Sequence, residues 1–445
     1  MVEQMKPSGI DWIKEIPVSW NINKVKYLAT DSNTLFLDGD WIESNVIEDS
    51  GIRYLTTGNV GAGYYKDQGS GYISQKTFDE LHCLKVFPGD LMISRLNEPI
   101  GRACIVPDGE NFYVVAVDNV ILRPNAEYNK KFIMYAMNTD GYAEHGNIIA
   151  RGATMSRVSR SQLGQFWIAY PELREQNAIA DYLDTQCLKL DGIISDLEKQ
   201  IETLQKYKKS LILETVTKGL NKNVLMKSSG IDWIGDIPAH WDTSKIKYNI
   251  GLIGSGTTPE SGNPLYYEDG KYNWIQSGDL YKTDYIFSTE KQLTALAIKD
   301  SPALTYYEKD FVVVAMYGAS VGNVSISKID AYTNQACCVI KAKNNDDIRY
   351  LFYYLKAAQD EMLLKAFGGT QPNISQVIIK NLNCLKVPIE EQKSISDYLD
   401  CQCGKIDSIL KDKQEQLEKI KQHKKSLIYE YVTGKKRVKE ATNGN

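Results

Sequence analysis

The chain has 445 residues, too many for one ordinary core, so it divides into two or more domains. Its 43% hydrophobic and 24% charged content suit a globular protein, and no apolar run approaches the roughly 18–20 residues that would span a bilayer. A net charge of −4 with pI ≈ 5.8 argues against a simple basic nucleic-acid binder, and the polar start, MVEQMKPSG, lacks the apolar segment of a secretory signal, so a cytoplasmic location is expected.

Taken in chain order, the first element is the phrase SGIDWIKEIPVSW at 8–20. A mixed α/β body follows, with a β-branched run YVVAVDNVILRP at 113–124 and helical spacing in KKFIMYAMNTDGYAE at 130–144. A long helical pattern then runs from about 173 to 217, roughly 65 Å at 1.5 Å per residue. At 229–241 the phrase returns as SGIDWIGDIPAHW. Residues 8–27 and 229–248 share twelve identities in twenty positions at an offset of 221. A second body carries the strand-like runs FVVVAM (311–316) and CCVIKAK (337–343) and a helical pattern at 348–367. A second long helix closes the repeat. Glu175-Gln176 returns as Glu391-Gln392, DYLD at 181–184 returns at 397–400, and KKSLI at 208–212 returns at 424–428, all at an offset of 216. The chain is therefore a tandem repeat with near-constant heads and tails around divergent bodies. Its expected parts are a first body at 1–170, a helix at 171–218, a second body at 219–387, a second helix at 388–436 and a polar tail at 437–445.

Both tails carry an apolar seam with alternating steps of three and four. In the first it comprises Leu183, Leu190, Ile194, Leu197, Ile201, Leu204 and Leu211, and in the second Leu399, Ile406, Leu410, Leu417, Ile420 and Leu427. A lone helix cannot bury such a seam, so the two tails are expected to pair antiparallel. Lys208 and Lys424 fall on the seam at equivalent places, where the pattern predicts fraying with the lysines snorkelling to water. A polar position that fixes register is the alternative.

Signatures of catalysis are missing. There is no phosphate-binding G-x-x-x-x-G-K-[ST] and no G-x-S-x-G, and the four histidines offer no Cys/His nucleophile pair. The eight cysteines form no C-x-x-C and no zinc-ligand spacing, so they are expected to be reduced and mostly packed as small apolar groups. GLIGSG (251–256) and the nearby NPLYY faintly suggest a methyltransferase site, but the first repeat lacks both, and they are read as turns. No catalytic residue and no metal site is assigned. What remains is polar and aromatic side chains in the bodies. The first offers Arg53, Tyr64, Tyr65, Lys66, Arg95, Arg102, Arg151, Arg157 and Arg160. The second offers Lys271, Gln276, Tyr281, Lys282, Tyr317, Asn323, Gln371, Asn373 and Gln376. Arginine and the amides are the residues that read guanine and adenine edges bidentately. Recurrent loops add Thr57, Asn59 and Thr154 in the first body, and Ser277, Asp279 and Thr370 in the second.

The duplicated G-I-x-W-I-x-x-I-P-x-x-W, at 9–20 and 230–241, comes with PELREQNAIADYLD (171–184) and PIEEQKSISDYLD (388–400) at the start of each long helix. On these motifs the chain resembles the specificity subunit of type I restriction–modification systems, over nearly its whole length. The resemblance implies an α+β fold of two α/β target recognition domains separated by two long antiparallel helices. It implies that each body reads one half of a bipartite site in double-stranded DNA, with the helices as a ruler. Two methyltransferase subunits and two translocase/nuclease subunits would be partners, carrying S-adenosylmethionine, ATP and Mg, with no cofactor and no catalysis in this chain. Partners sharing the phosphate contacts would make the acidic balance tolerable. The competing expectation is a coiled-coil scaffold that holds partners without reading bases.

The second phrase follows the end of the first helix at Val216-Thr217-Lys218-Gly219. The only equivalent for the first phrase is the end of the second helix, Val432-Thr433-Gly434. Residues 8–20 are therefore expected beside 428–436, which would close the repeat into a pseudo-two-fold ring.

Overall fold

The computed structural model describes residues 4–69, 71–150, 156–281, 283–343, 346–367 and 373–438, apart from the side chain at 319. The chain forms two compact units. One comprises Met1–Glu198 with Glu415–Asn445, the other Lys199–Gln414. The units do not coincide with the sequence repeats. Each long helix, Leu173–Lys218 and Ile389–Val432, is divided between them. The fold is α+β, and no helix among the described residues is long and apolar enough to cross a membrane.

In the first unit a four-stranded antiparallel sheet runs Leu35–Asp38, Asn119–Arg123, Leu91–Ser94, Ala103–Ile105. A three-stranded sheet pairs Ile52–Leu55 antiparallel to Tyr72–Ile73 and parallel to Val114–Val115. The run 113–124 thus serves two sheets rather than one strand, the break falling between Val115 and Asn119. The helical pattern at 130–144 is likewise two helices, Lys130–Met137 and Asp140–Ile149. The second unit repeats the plan with a five-stranded sheet ordered Ile250–Ser255, Cys337–Ala342, Phe311–Ala315, Val324–Ser327, Tyr285–Ile286. Here too the helical stretch breaks, at Ala358, into Ile348–Ala357 and Gln359–Leu364.

GLIGSG, expected as a turn, lies on the edge strand Ile250–Ser255 of that sheet, with Gly256 just past its end. Its glycines are there for space: a Cβ on Gly254 would lie 2.5 Å from the Tyr307 hydroxyl, and one on Gly256 1.7 Å from the Thr333 carbonyl oxygen. NPLYY does form a turn, with the Asn263 side chain accepting from Leu265 N at 3.1 Å. The cysteines are unbridged; all are buried except Cys401.

The recurring words of the sequence bolt each body to the helices. Gln176, fully buried, donates to the carbonyls of Pro171 (2.9 Å) and Glu127 (3.2 Å) and accepts from Asn129 N (2.8 Å). Gln392 repeats this with Val387 O (2.9 Å), Asp346 Oδ1 (3.3 Å) and Asp347 N (3.0 Å). The last aspartate of each DYLD accepts from a tyrosine hydroxyl of the body helix at 2.7 Å, Tyr135 to Asp184 and Tyr353 to Asp400. Lys131 and Arg349 complete the two clusters.

Burial, and then the hydrogen bond to the aspartate, push both hydroxyls above the ordinary tyrosine range. A raised folded-state value keeps the proton on when the unfolded chain would lose it. The stabilisation is therefore present below about pH 10 and declines as the pH rises beyond it. Unfolding free energy measured from pH 8 to 11 should fall steeply above about pH 10. Tyr135→Phe together with Tyr353→Phe should flatten that fall, and an unchanged slope would contradict this account.

The joints are where the phrases sit. In the second unit Trp241 is fully buried, donates from Nε1 to Glu391 at 3.1 Å, and lies against Gly219, whose Cβ would be 3.3 Å from the ring. In the first unit Trp20 is fully buried against Gly434. A Cβ there would be 2.4 Å from Pro17 Cδ. Both glycines have φ of +72°, a left-handed conformation that ends a helix cheaply only for glycine. Tyr429 donates to the Trp12 carbonyl at 3.0 Å, so the first phrase does dock on the end of the second helix. One difference stands out: among the described residues Trp20 Nε1 has no acceptor, whereas Glu175, the counterpart of Glu391, lies 3.3 Å from Arg437.

Within each unit the two helices run antiparallel. In the first, the Tyr182 and Tyr431 rings are 4.6 Å apart, Asp191 pairs with Lys424 and Glu198 with Lys421. In the second, Gln200 accepts from Lys413 and Asp407 from Lys208. The seam residues Leu183, Leu197, Leu399, Ile406, Leu410 and Leu427 are buried, and Leu190, Ile194, Ile201, Leu204, Leu211, Leu417 and Ile420 half-buried. The seam lysines do not snorkel. Lys208 Nζ lies 2.7 Å from Asp407 and Lys424 Nζ 2.6 Å from Asp191. The two pairs are equivalent at the 216-residue offset. An antiparallel partner presents a carboxylate at each lysine, so leaving for water would strand that carboxylate. The polar-register alternative describes the seam better.

Candidate nucleic-acid interface

In the first body three loops meet around Arg102. Its Nε donates to Val60 O (2.9 Å), Nη2 to Thr57 O (3.2 Å), and Nη1 to the carbonyls of Leu96 (3.1 Å) and Asn97 (2.9 Å). Burial pushes this guanidinium below its ordinary value, yet it stays charged, because arginine begins so high. Arg102 therefore organises the loops and has few donors left for a base. Leu96 in turn bridges to Arg157, bringing the segment at 156–160 to the same surface.

Arg95 is a second internal arginine, only 4% exposed. It donates to Val158 O (2.9 Å) and Val117 O (2.7 Å) and lies 3.1 Å from Asp38. Around it stand Arg157, 2.9 Å from Asp118, and Arg160, 3.6 Å from Asp38. Three guanidiniums thus share two carboxylates, which leaves positive charge at a half-exposed surface. Tyr64 is exposed nearby in sequence, with Lys66 Nζ 6.0 Å from its ring centre. Arg53 is buried, donates to Gly69 O and stacks on Tyr72.

The recurrent loops after the parallel strand pairs prove to be capping turns. Asn59, 2% exposed, accepts from Thr56 N at 2.9 Å and donates to Lys66 O and Gln68 O. Asp279 accepts from Gln276 N at 2.7 Å and from Glu290 N at 3.1 Å. Asn59 and Asp279 recur because the turn needs a side-chain acceptor three residues past its cap. Thr57, Gln276 and Ser277 are half-buried beside them.

In the second body the turn Ser277–Leu280 packs on the turn Gly318–Ser320. Exposed side chains around these loops are Tyr281 and Tyr317, with Asn373 and Phe367 joined by reciprocal backbone hydrogen bonds of 2.8 and 2.9 Å. Tyr317 bridges to Asn373. Asn323 is half-buried and accepts from Gln359 at 3.3 Å. The second surface is aromatic and amide-rich where the first is arginine-rich. Arg151, Thr154, Lys282, Thr370 and Gln371 lie outside the described residues. Sequence reasoning missed Asp38, Asp118 and Phe367; the two aspartates are far along the chain from the arginines they hold, so no local spacing marks them.

A family model described as the type I restriction modification DNA specificity domain matches residues 238–419. A putative type I restriction enzyme MjaX specificity subunit of Methanocaldococcus jannaschii is 26% identical over 381 residues, covering 83% of each chain. The MjaIX specificity subunit of the same organism is 31% identical over 194 residues, 42% of this chain and 43% of its own. Among solved structures, a chain from a study of complex assembly and conformational transition in the type I restriction–modification system aligns with a TM-score of 0.72 at 15% identity, covering 94% of this chain and 99% of that one. The HsdS subunit from Thermoanaerobacter tengcongensis aligns at 0.50 and 14% identity, over 94% and 98%. The family model and the curated relatives make the chain similar to type I restriction–modification specificity subunits, and the solved structures share its fold. They support a DNA-recognition subunit rather than a coiled-coil scaffold that reads no bases. The two surfaces above are two divergent bodies on one repeated frame.

Proposed function

We propose that each body of this specificity subunit reads one half of a bipartite site in double-stranded DNA, while the two long helices set the spacer and dock methyltransferase subunits. Translocase/nuclease subunits would complete the assembly. S-adenosylmethionine, ATP and Mg would be held by those partners, and this chain would contribute recognition without catalysis. The observation that carries the reading is the repeated clamp. Gln176 and Gln392, and Asp184 and Asp400, hold different bodies to equivalent helix positions through the same bonds. A frame kept constant while the readers change fits a split target. Phosphate contacts shared with partners would supply affinity, and base contacts from the bodies would supply sequence.

Replacing residues 30–165 with another body should change one half of the methylated motif in the host and leave the other half as it was. A motif unaltered in both halves would overturn the proposal. Inserting seven residues into each long helix should alter the spacer between the halves. Two half-sites read on one face of B-DNA sit about 10 bp apart, so a change in the ruler is read directly in base pairs. An unaltered spacer would sink the ruler.

A further inference from the structure

We infer that Arg157 and Asn373 are equivalent base-reading positions, Arg157 reading a guanine in one half-site and Asn373 an adenine in the other; this rests on the function proposed above. The two residues are 216 apart, the offset that relates the helical tails. Each pairs its backbone with the loop following the central strand of its body, Arg157 with Leu96 and Asn373 with Tyr317. The loop partners are themselves equivalent, at the 221-residue offset of the heads. Both reading side chains are exposed, whereas the residue one step further on, Val158 or Ile374, is buried and fixes the segment by donating its N–H to Arg95 O or Met316 O. A rigid backbone with one outward side chain at the same place in two readers is a position built to vary.

The chemistry differs as a code would require. A guanidinium can donate twice to guanine O6 and N7, and a carboxamide can pair with adenine N6 and N7. Asp118 Oδ1 lies 2.9 Å from Arg157 Nη2, an ion pair that holds the guanidinium beside this loop, and about half of the side chain stays open to solvent. Asp118 is thus a positioning residue. Arg95 cannot take the role, because it is buried, donates inward to Val117 O and Val158 O, and is ion-paired with Asp38.

The test is the N6-methyladenine motif of the host carrying chromosomal substitutions in the full chain, with the partner subunits intact. Arg157→Ala should relax one guanine position, with a discrimination loss on the order of ten- to a hundredfold, in the half that the 30–165 swap changes. Asn373→Ala should relax one adenine position in the other half. Arg157→Lys keeps the charge beside Asp118 but lacks the fork, and should relax the same position as Arg157→Ala. Arg157→Asn should shift that position from guanine towards adenine. Only a partly exposed ion pair is lost, so thermal unfolding should move little. If the body swap changes a half-site while every position survives Arg157→Ala, this assignment fails and the proposed function stands. If the swap changes neither half, the function fails first. Loss of all methylation by both Arg157→Ala and Arg157→Lys, at unchanged thermal stability, would overturn the position-specific reading.

Discussion

Trp241→Ala should destabilise the second unit by about 3–5 kcal/mol, the usual cost of emptying a fully buried tryptophan site. The indole has no exposed surface, packs against the helix-ending Gly219, and satisfies Glu391 through Nε1. Its loss opens a cavity at the one place where head, body and helix meet. The equivalent Trp20→Ala should cost nearly as much, less the hydrogen bond that Trp20 lacks. Against a domain stability of about 5–15 kcal/mol either change leaves little margin. Equilibrium urea unfolding of the intact chain would measure it. A loss under about 1 kcal/mol would show that the repeated phrase is dispensable to the fold, contrary to the packing described above.

Gln176→Ala is the second large effect, expected at about 2–3 kcal/mol. Three backbone groups would lose their partner: the Pro171 carbonyl in a buried place, and the Glu127 carbonyl and the Asn129 N–H in part-buried ones. Each stranded group costs about 1–3 kcal/mol, and the sum is not additive. Gln176→Glu discriminates between shape and hydrogen bonding. It keeps the size but puts a carboxylate against two carbonyl oxygens, so it should be at least as damaging. If the glutamate variant is as stable as the parent, the amide is not the clamp. Urea midpoints of the two variants, with Gln392→Ala as the equivalent change, would decide it.

Much of this architecture was readable because it is written twice. Comparing the copies exposed the heads, the tails and the seam, and the docking of 8–20 on the end of the second helix followed from the missing counterpart. What the repeat could not convey was the purpose of the words. Gln176 and Gln392 read simply as identities, since their partners, all backbone groups but Asp346 Oδ1, carry no mark in the repeated words. The glycines of GLIGSG read as a turn because close approach of Tyr307 and Thr333 is a tertiary fact with no local mark. At the seam, one helix alone gives no sign of what holds the lysines; the carboxylates that do so are 199 and 233 residues away. The reading surface was the least legible. Asn59 and Asp279 recur for reasons of turn capping, so recurrence there marks structure rather than contact. Arg95 and Arg102 are the residue type that reads guanine, but burial turns them inward.

The second unit is one uninterrupted stretch, Lys199–Gln414, and Gln200 and Lys413 are hydrogen-bonded across the helices at 2.6 Å, so both ends of the stretch leave side by side. In the first unit Glu198 and Lys421 stand 3.0 Å apart at the corresponding cut. The chain is in effect one module inserted into another through adjacent ends. A short turn joining Glu198 to Glu415 could excise the insert, and the same geometry allows a different module to be spliced in, or the order of the chain to be permuted there.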